Sequence, residues 1–473
     1  MRQGRTQSGD PCRPCLSGVC FCQCRCVWRG CLMSHQQQFE ALVAVLKAAI
    51  SPTEHFTLAY DAEASDFIRF NHGQVRQAGS VQQVIATFKL IDDGRHANLE
   101  VTLSGDQETD TRRLSNALQQ LRETLPSLAK DPYLLPNTQA WQSSNVQDLP
   151  LPDSAQVVEQ ISQLSGDLDL VGFYAAGPLY RGFASSWGAL GWHQANSFNF
   201  DWSLFHENGQ AVKANYAGHD WNNEAFVQRF QQAREQLEFL GRPLHTLKPG
   251  QYRAYLAPAA LDEVIGMLSW GGFSAPAVAS KRSPLQRLYD GETHFSPLIS
   301  FDEQVSGSLS PDFSREGYPR KDLKLIVNGQ TRERLVDSSS AAEYDLPANG
   351  ADYGEGPSAL SIAGGSLELD QILEKLGTGL YISNLWYLNF SDRAAARLTG
   401  MTRFATFWVE DGKIVAPVST MRFDDSAYSL LGSALEDLTR ERELILQSST
   451  YTQRQTGSIQ LPGALISRLT LTL

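Results

Sequence analysis

The residues best placed to do chemistry lie in the run Ala257-Pro258-Ala259-Ala260-Leu261-Asp262-Glu263-Val264-Ile265-Gly266-Met267-Leu268, which reads as a helix. A zinc helix of the His-Glu type carries two imidazoles about one turn apart, with a glutamate beside the ion as general base. Glu263 and Gly266 stand at usable positions, but Asp262 and Met267 occupy the places that need histidine. The run is therefore a degenerate motif of Asp262, Glu263, Gly266 and Met267. It offers no catalytic residue, and no metal or other cofactor is expected of this chain.

Other constellations are weaker. His193, His206 and His219 recur at intervals of 13 residues, and His206-Glu207 and His219-Asp220 each place a carboxylate beside an imidazole. Neighbours on a strand face opposite ways, so the pairs need not interact, and partly exposed strand histidines are expected. No Gly-x-Ser-x-Gly elbow occurs. Gly354-x-Gly356 and Gly364-Gly365 lack the strand-to-helix setting of a dinucleotide loop and read as loops.

The elements that must position these residues are mixed. Helical periodicity covers Gln36–Ile50, Thr109–Leu128, Ser154–Ser165 and Asn222–Leu240. Strands are expected at His55–Tyr60, Asp66–Asn71, Val81–Ile91, Phe183–Trp187, Phe198–Phe205, Ala211–Tyr216 and Tyr252–Leu256. Pro132–Pro152 reads as irregular and Gly241–Gly250 as a linker. Short helices are expected at Ser338–Tyr344, Leu369–Leu376 and Ser426–Thr439. The fold class is α+β: α/β sandwich-like N-terminal domains, then a β-rich C-terminal domain bearing the degenerate helix. The expected divisions are 1–32, 33–150, 151–242 and 243–473.

Composition narrows the function. The chain has 473 residues, 42% hydrophobic content and a net charge of -12, so it has no surplus of cations for tracking phosphates and nucleic acid is an unlikely partner. No run of about 18 apolar residues is present, so no membrane span is expected. All seven cysteines, Cys12 to Cys31, fall in a leader carrying about +4, leaving about -16 on a cysteine-free remainder. Cys12-x-x-Cys15 and the alternating Cys20 to Cys26 could form a metal-binding arm. Against that, the leader reads as an unstructured or non-native extension ahead of a start at Met33. Gln23 and Arg25 interrupt any signal-peptide core. The cysteine-free body suits the cytoplasm.

The segment Asp66-Phe67-Ile68-Arg69-Phe70-Asn71-His72-Gly73-Gln74-Val75-Arg76-Gln77-Ala78-Gly79 resembles the N-terminal signature of the TldD/PmbA (TldD/TldE) family. Gly379-Leu380-Tyr381-Ile382-Ser383-Asn384-Leu385 and Phe407-Trp408-Val409-Glu410-Asp411-Gly412-Lys413-Ile414-Val415-Ala416-Pro417-Val418 resemble its C-terminal strands. The hairpin Leu325-Ile326-Val327-Asn328-Gly329, followed by Leu335-Val336-Asp337-Ser338, fits the same domain. The resemblance runs from about Gln36 to the C-terminus. It implies a peptidase pair in which the TldD-like subunit carries a His-Glu-x-x-x-His helix and a cysteine ligand, while the TldE-like (PmbA-like) subunit lacks them. On this chain that helix falls on Asp262 to Met267, and no cysteine follows Cys31. A thioether is a poor zinc ligand, and one carboxylate cannot hold the ion.

The expectation is thus a cytoplasmic, non-catalytic, peptide-binding subunit of a TldD/TldE-type metallopeptidase complex that processes or degrades unfolded peptides. Its partner would be a metal-bearing TldD-like chain in a heterodimer, or a second copy in a homodimer. Arg403, Trp386, Tyr387 and Trp408 are the peptide-binding candidates, since exposed aromatics beside strand edges suit capture of an extended peptide. The rival readings are an autonomous hydrolase with a non-standard site and a non-proteolytic homodimeric scaffold.

Overall fold

The computed structural model describes residues 33–472, so the cysteine-rich leader and both readings of it lie outside the described residues. The first helix, α1 (His35–Ala49), starts where Ser34 and Gln37 form a reciprocal capping box. Its stripe of Phe39, Leu42, Val43 and Leu46 is buried.

There follow β1 (His55–Asn71), β2 (Gln74–Asp92), β3 (Arg95–Leu103), α2 (Gln107–Thr124), β4 (Gln142–Gln147), α3 (Ser154–Ser165), β5 (Asp169–Ser185), β6 (Leu190–Phe205), β7 (Ala211–Gly218) and α4 (Asn223–Leu240). All seven strands form one sheet in the order β3-β2-β1-β5-β6-β4, with β7 beside β6. Residue 61 pairs with 181, and 69 with 173, so one continuous sheet spans the stretches 33–150 and 151–242.

Side chains alternate across β1. Phe56, Leu58, Tyr60 and Ala62 pack with α1 and α2, and Ile68 and Phe70 pack with α3 and α4. The opposite face carries Asp61, Glu63 and Ser65, which are also buried. Their cover comes from the far end of the sequence. Arg454 donates to Ser65 Oγ (3.3 Å), Ser197 Oγ (2.6 Å) and the Gly177 carbonyl (3.1 Å). At Gly177 (φ +142°) a Cβ would stand 2.1 Å from the Ala64 carbonyl oxygen, so only glycine permits this approach.

The C-terminal half comprises β8 (Gly250–Leu256), α5 (Pro258–Ser269), β9 (Phe301–Glu303), β10 (Leu323–Val327), β11 (Gln330–Thr331), β12 (Ala359–Ile362), β13 (Gly379–Asp392), β14 (Arg397–Glu410), β15 (Lys413–Pro417), β16 (Arg422–Ser426), β17 (Leu435–Leu446) and β18 (Ser458–Leu471). Because β8 pairs with both β13 and β18, the strands β18-β16-β14-β13-β8 close into a ring. α5 packs against the ring and shares its core.

Three sequence expectations change. His55–Tyr60 and Asp66–Asn71 are one strand, β1. The irregular stretch 132–152 contains β4, which pairs in parallel with β6. The helix expected over Ser426–Thr439 is replaced by a single wide turn at Ser429–Ser433 followed by β17, which β18 claims as a strand partner. Among the described residues no helix is long and apolar enough to cross a membrane.

Candidate functional site

α5 starts with Pro258 at its first turn and buries Leu261, Val264, Ile265 and Leu268 at the spacing i, i+3, i+4, i+7. That fixes Glu263 and Gly266 on the outer face, with Asp262 and Met267 half-buried at its margins. Burial, with a smaller push from Glu263, raises the Asp262 carboxyl to about 6. Burial also raises Glu263, against the pull of the Lys213 ammonium on β7. Met267 packs on the ring core. α5 therefore presents Glu263 on its outer face, Asp262 at the margin, and no imidazole.

α5 runs beside β13. The Ala257 N–H donates to the Ile382 carbonyl at its start, and at its end Arg393 donates to the Trp270 carbonyl at 2.6 Å. The first part of β13, Leu380 to Ile382, pairs with both β8 and β14; from Asn384 to Asp392 it pairs with β14 alone. In that stretch Trp386 and Tyr387 are 47% and 76% exposed. The Arg403 guanidinium lies 5.1 Å from the Trp386 ring centre and 5.4 Å from that of Phe404. Tyr387 (φ +58°) and Phe404 (φ +57°) both hold left-handed backbone at irregularities of the β13–β14 ladder. Bulky residues adopt that conformation at a cost of about 1–3 kcal/mol each, and such strain gathers at ligand-binding surfaces.

The structure thus brings Arg403, Trp386 and Tyr387 together. It places Trp408 elsewhere, stacked on His245 at 5.2 Å and bonded through its indole N–H to Glu410 at 2.7 Å. Phe404 joins this cluster through Arg403, and the adjacency of the two in the chain is the available signal; Trp270 and Arg393 form a separate cation–ring pair at the end of α5. Trp192 and Trp202 are core residues of the N-terminal sheet.

The three histidines do not converge. His193, expected to be partly exposed, is fully buried, and its Nε2 lies 2.9 Å from the Leu309 carbonyl oxygen. Burial lowers it to about 4, so it is a neutral structural group. His206 accepts the Asn208 N–H at a turn, and His219 stands half-buried in the bend just after β7. Among the described residues no group of three or more His, Cys, Asp or Glu could hold a metal ion.

The profile of the PmbA/TldA metallopeptidase C-terminal domain matches residues 249–473, the half that contains α5 and the ring. The metalloprotease PmbA of Escherichia coli O157:H7 is 29% identical over 161 residues, covering 33% of this chain and 32% of that protein. TldE from Thermococcus kodakarensis has a similar fold, with a TM-score of 0.75 at 14% identity over 92% of this chain and 100% of that one. A candidate DNA gyrase modulator from Thermotoga maritima superimposes with a TM-score of 0.72 at 15% identity, over 93% of this chain and 100% of that one. Residues 249–473 carry the C-terminal domain of the PmbA/TldD family, and the fold around it is TldE-like. Its aligned part spans only about a third of the curated Escherichia coli relative.

A metallopeptidase-related TldD/PmbA fold implies a metal, and α5 is where the sequence placed its ligands. The donor set does not fit. Asp262 and Glu263 are adjacent, so they diverge around the helix, and Met267 offers a thioether already engaged in the core.

Proposed function

We propose that this chain is the non-catalytic, peptide-binding subunit of a TldD/TldE-type metallopeptidase complex, working in the cytoplasm on unfolded peptides. The observation that carries the reading is the outer face of α5, where a half-buried carboxyl and a core-packed thioether replace the two imidazoles of a metal helix. Trp386 and Tyr387 are exposed on β13 beside it, and Arg403 reaches Trp386 from β14. Its rings and guanidinium supply what an extended peptide or a partner subunit needs: apolar area at low entropy cost and a fixed cation. The partner would supply metal, water and general base. The cysteine-free body after residue 31 supports the cytoplasmic assignment.

A tagged pull-down of the full chain from native extract tests this, with the captured chains identified by mass spectrometry. Co-purification of a relative bearing an intact His-Glu-x-x-x-His helix is expected. Recovery of the chain only with itself overturns the heteromeric assignment and favours the homodimeric scaffold.

A further inference from the structure

We propose that the open face of the N-terminal sheet, where Arg69 stands opposite Phe173, binds an acidic stretch of extended polypeptide. This rests on the peptide-binding reading above and adds to it a second contact surface and a charge preference.

The face is the one whose other end is buried under Arg454. Beyond Ser65 that cover stops, and the register lays a row of side chains across four strands. Gln77 of β2 pairs with Arg69 of β1, Arg69 with Phe173 of β5, and Phe173 with Asp201 of β6. One register step on, Ser203 of β6 pairs with Lys213 of β7. The Arg69 guanidinium lies 5.6 Å from the Phe173 ring centre, and Phe67 stacks on Phe173 at 6.0 Å.

Two open cavities follow this row, about 530 and 460 Å³, and they share Arg69, Gln77 and Phe173. Together they form a trough too long for a single small carboxylate. It suits several residues of extended chain, whose alternate side chains would meet alternate rows of the sheet.

The charge of the trough is unbalanced. Arg69, Arg76 and Lys213 line it, and among the described residues none of the three forms an ion pair. The two acidic groups on its walls are already engaged. Asp201 accepts from Asn199 (3.1 Å) and Asn215 (2.9 Å), and Glu63 accepts from Ser65 (2.9 Å) and Gln83. Three cations against two carboxylates leave the lining net positive in a chain whose net charge is -12, which favours an anionic ligand. Within a Debye length of about 8 Å those cations outweigh the distant surplus of acid, whereas a polyphosphate backbone would extend its dense charge beyond them. Lys213 also acts on Glu263, so the trough ends within Coulomb reach of α5.

Fluorescein-labelled hexaglutamate, hexaglutamine and hexalysine peptides, with an oligothymidylate as a fourth ligand, would be titrated into the full chain by anisotropy. At low salt the glutamate peptide is expected to bind at least about tenfold tighter than the glutamine peptide. Arg69→Ala and Lys213→Ala should each weaken it about three- to tenfold. A Cβ at Gly79, which pairs with Phe67, meets nothing within 4 Å, so Gly79→Phe fills the trough without touching the core and should remove binding. Equal affinity for glutamate and glutamine peptides overturns the charge preference and leaves the peptide-binding reading standing. Glutamate binding that survives all three variants overturns the location. Tighter binding of the oligothymidylate replaces peptide by nucleic acid, and binding of no ligand removes this inference and the peptide-binding reading for the isolated chain.

Discussion

Arg315 Nη2 donates to Asp61 Oδ2 at 2.6 Å, joining the C-terminal half to the middle of the longest strand pair in the N-terminal sheet. Asp61 also meets Arg181 Nε at 3.1 Å on the neighbouring strand. Arg181 is buried, so it depends on this carboxylate for its charge partner. Asp61→Asn should cost about 3–5 kcal/mol, because it strands a buried guanidinium. Arg315→Ala, whose side chain is 54% exposed, should cost about 1 kcal/mol or less. Urea unfolding of both variants checks this, and equal midpoints would remove the distinction.

Asp262 makes stability fall as pH rises. Its folded value of about 6 lies above the ordinary 3.8, so between these values the unfolded chain releases a proton that the folded chain keeps. The loss approaches about 2–3 kcal/mol above pH 6. Asp262→Asn should therefore be more stable than the parent at pH 8 and equal to it near pH 3. Thermal melts across that range decide it; an unchanged difference at both ends would refute the assignment.

His193 acts in the opposite sense. Its folded value of about 4 lies below the ordinary 6.5, so stability is lost as pH falls through that window, by about 3 kcal/mol when complete. Across the overlap of the two windows the slopes of these two groups nearly cancel. Asp262→Asn should unmask a rise with pH, and His193→Gln, which retains a donor toward the Leu309 carbonyl, a fall. A parent profile as steep as either variant's would contradict the pairing.

The exposed cluster should separate binding from folding. Trp386 and Tyr387 lie largely in solvent, so Trp386→Ala with Tyr387→Ala should leave the melting temperature within a few degrees of the parent. The same variant should lose most of the partner recovered in the pull-down. Undiminished recovery would move the contact elsewhere.

What the sequence revealed followed local periodicity. The stripes of α1 and α4 and the face of α5 could be read because their partners lie three or four residues away. Asp61, Glu63 and Ser65 put three polar residues on one face of β1 and interrupt the apolar pattern that marks a strand. They are strand residues only because Arg181 and Arg454 cover them. Ser426–Thr439 has leucines at helical spacing, yet β18 pairs with its second half and overrides that propensity. At the candidate site, the loss of metal ligands in α5 needed only residue types. The left-handed backbone of Tyr387 and Phe404 carried no local signal, and neither did the meeting of Arg69 with Phe173 across two distant strands.

The clasp of Arg454 on Ser65 and Ser197 sets an order of assembly during synthesis. Glu63 and Ser65 leave the ribosome almost four hundred residues before the Arg454 side chain that covers them, and Asp61 leaves it before its partners Arg181 and Arg315. Until then their carboxylates are hydrated, and the unfinished sheet shows water a charged face in place of an adhesive one. The penalty for dehydrating those groups falls due only when the last strands exist to receive them, so the polar seam also keeps the nascent chain from premature association.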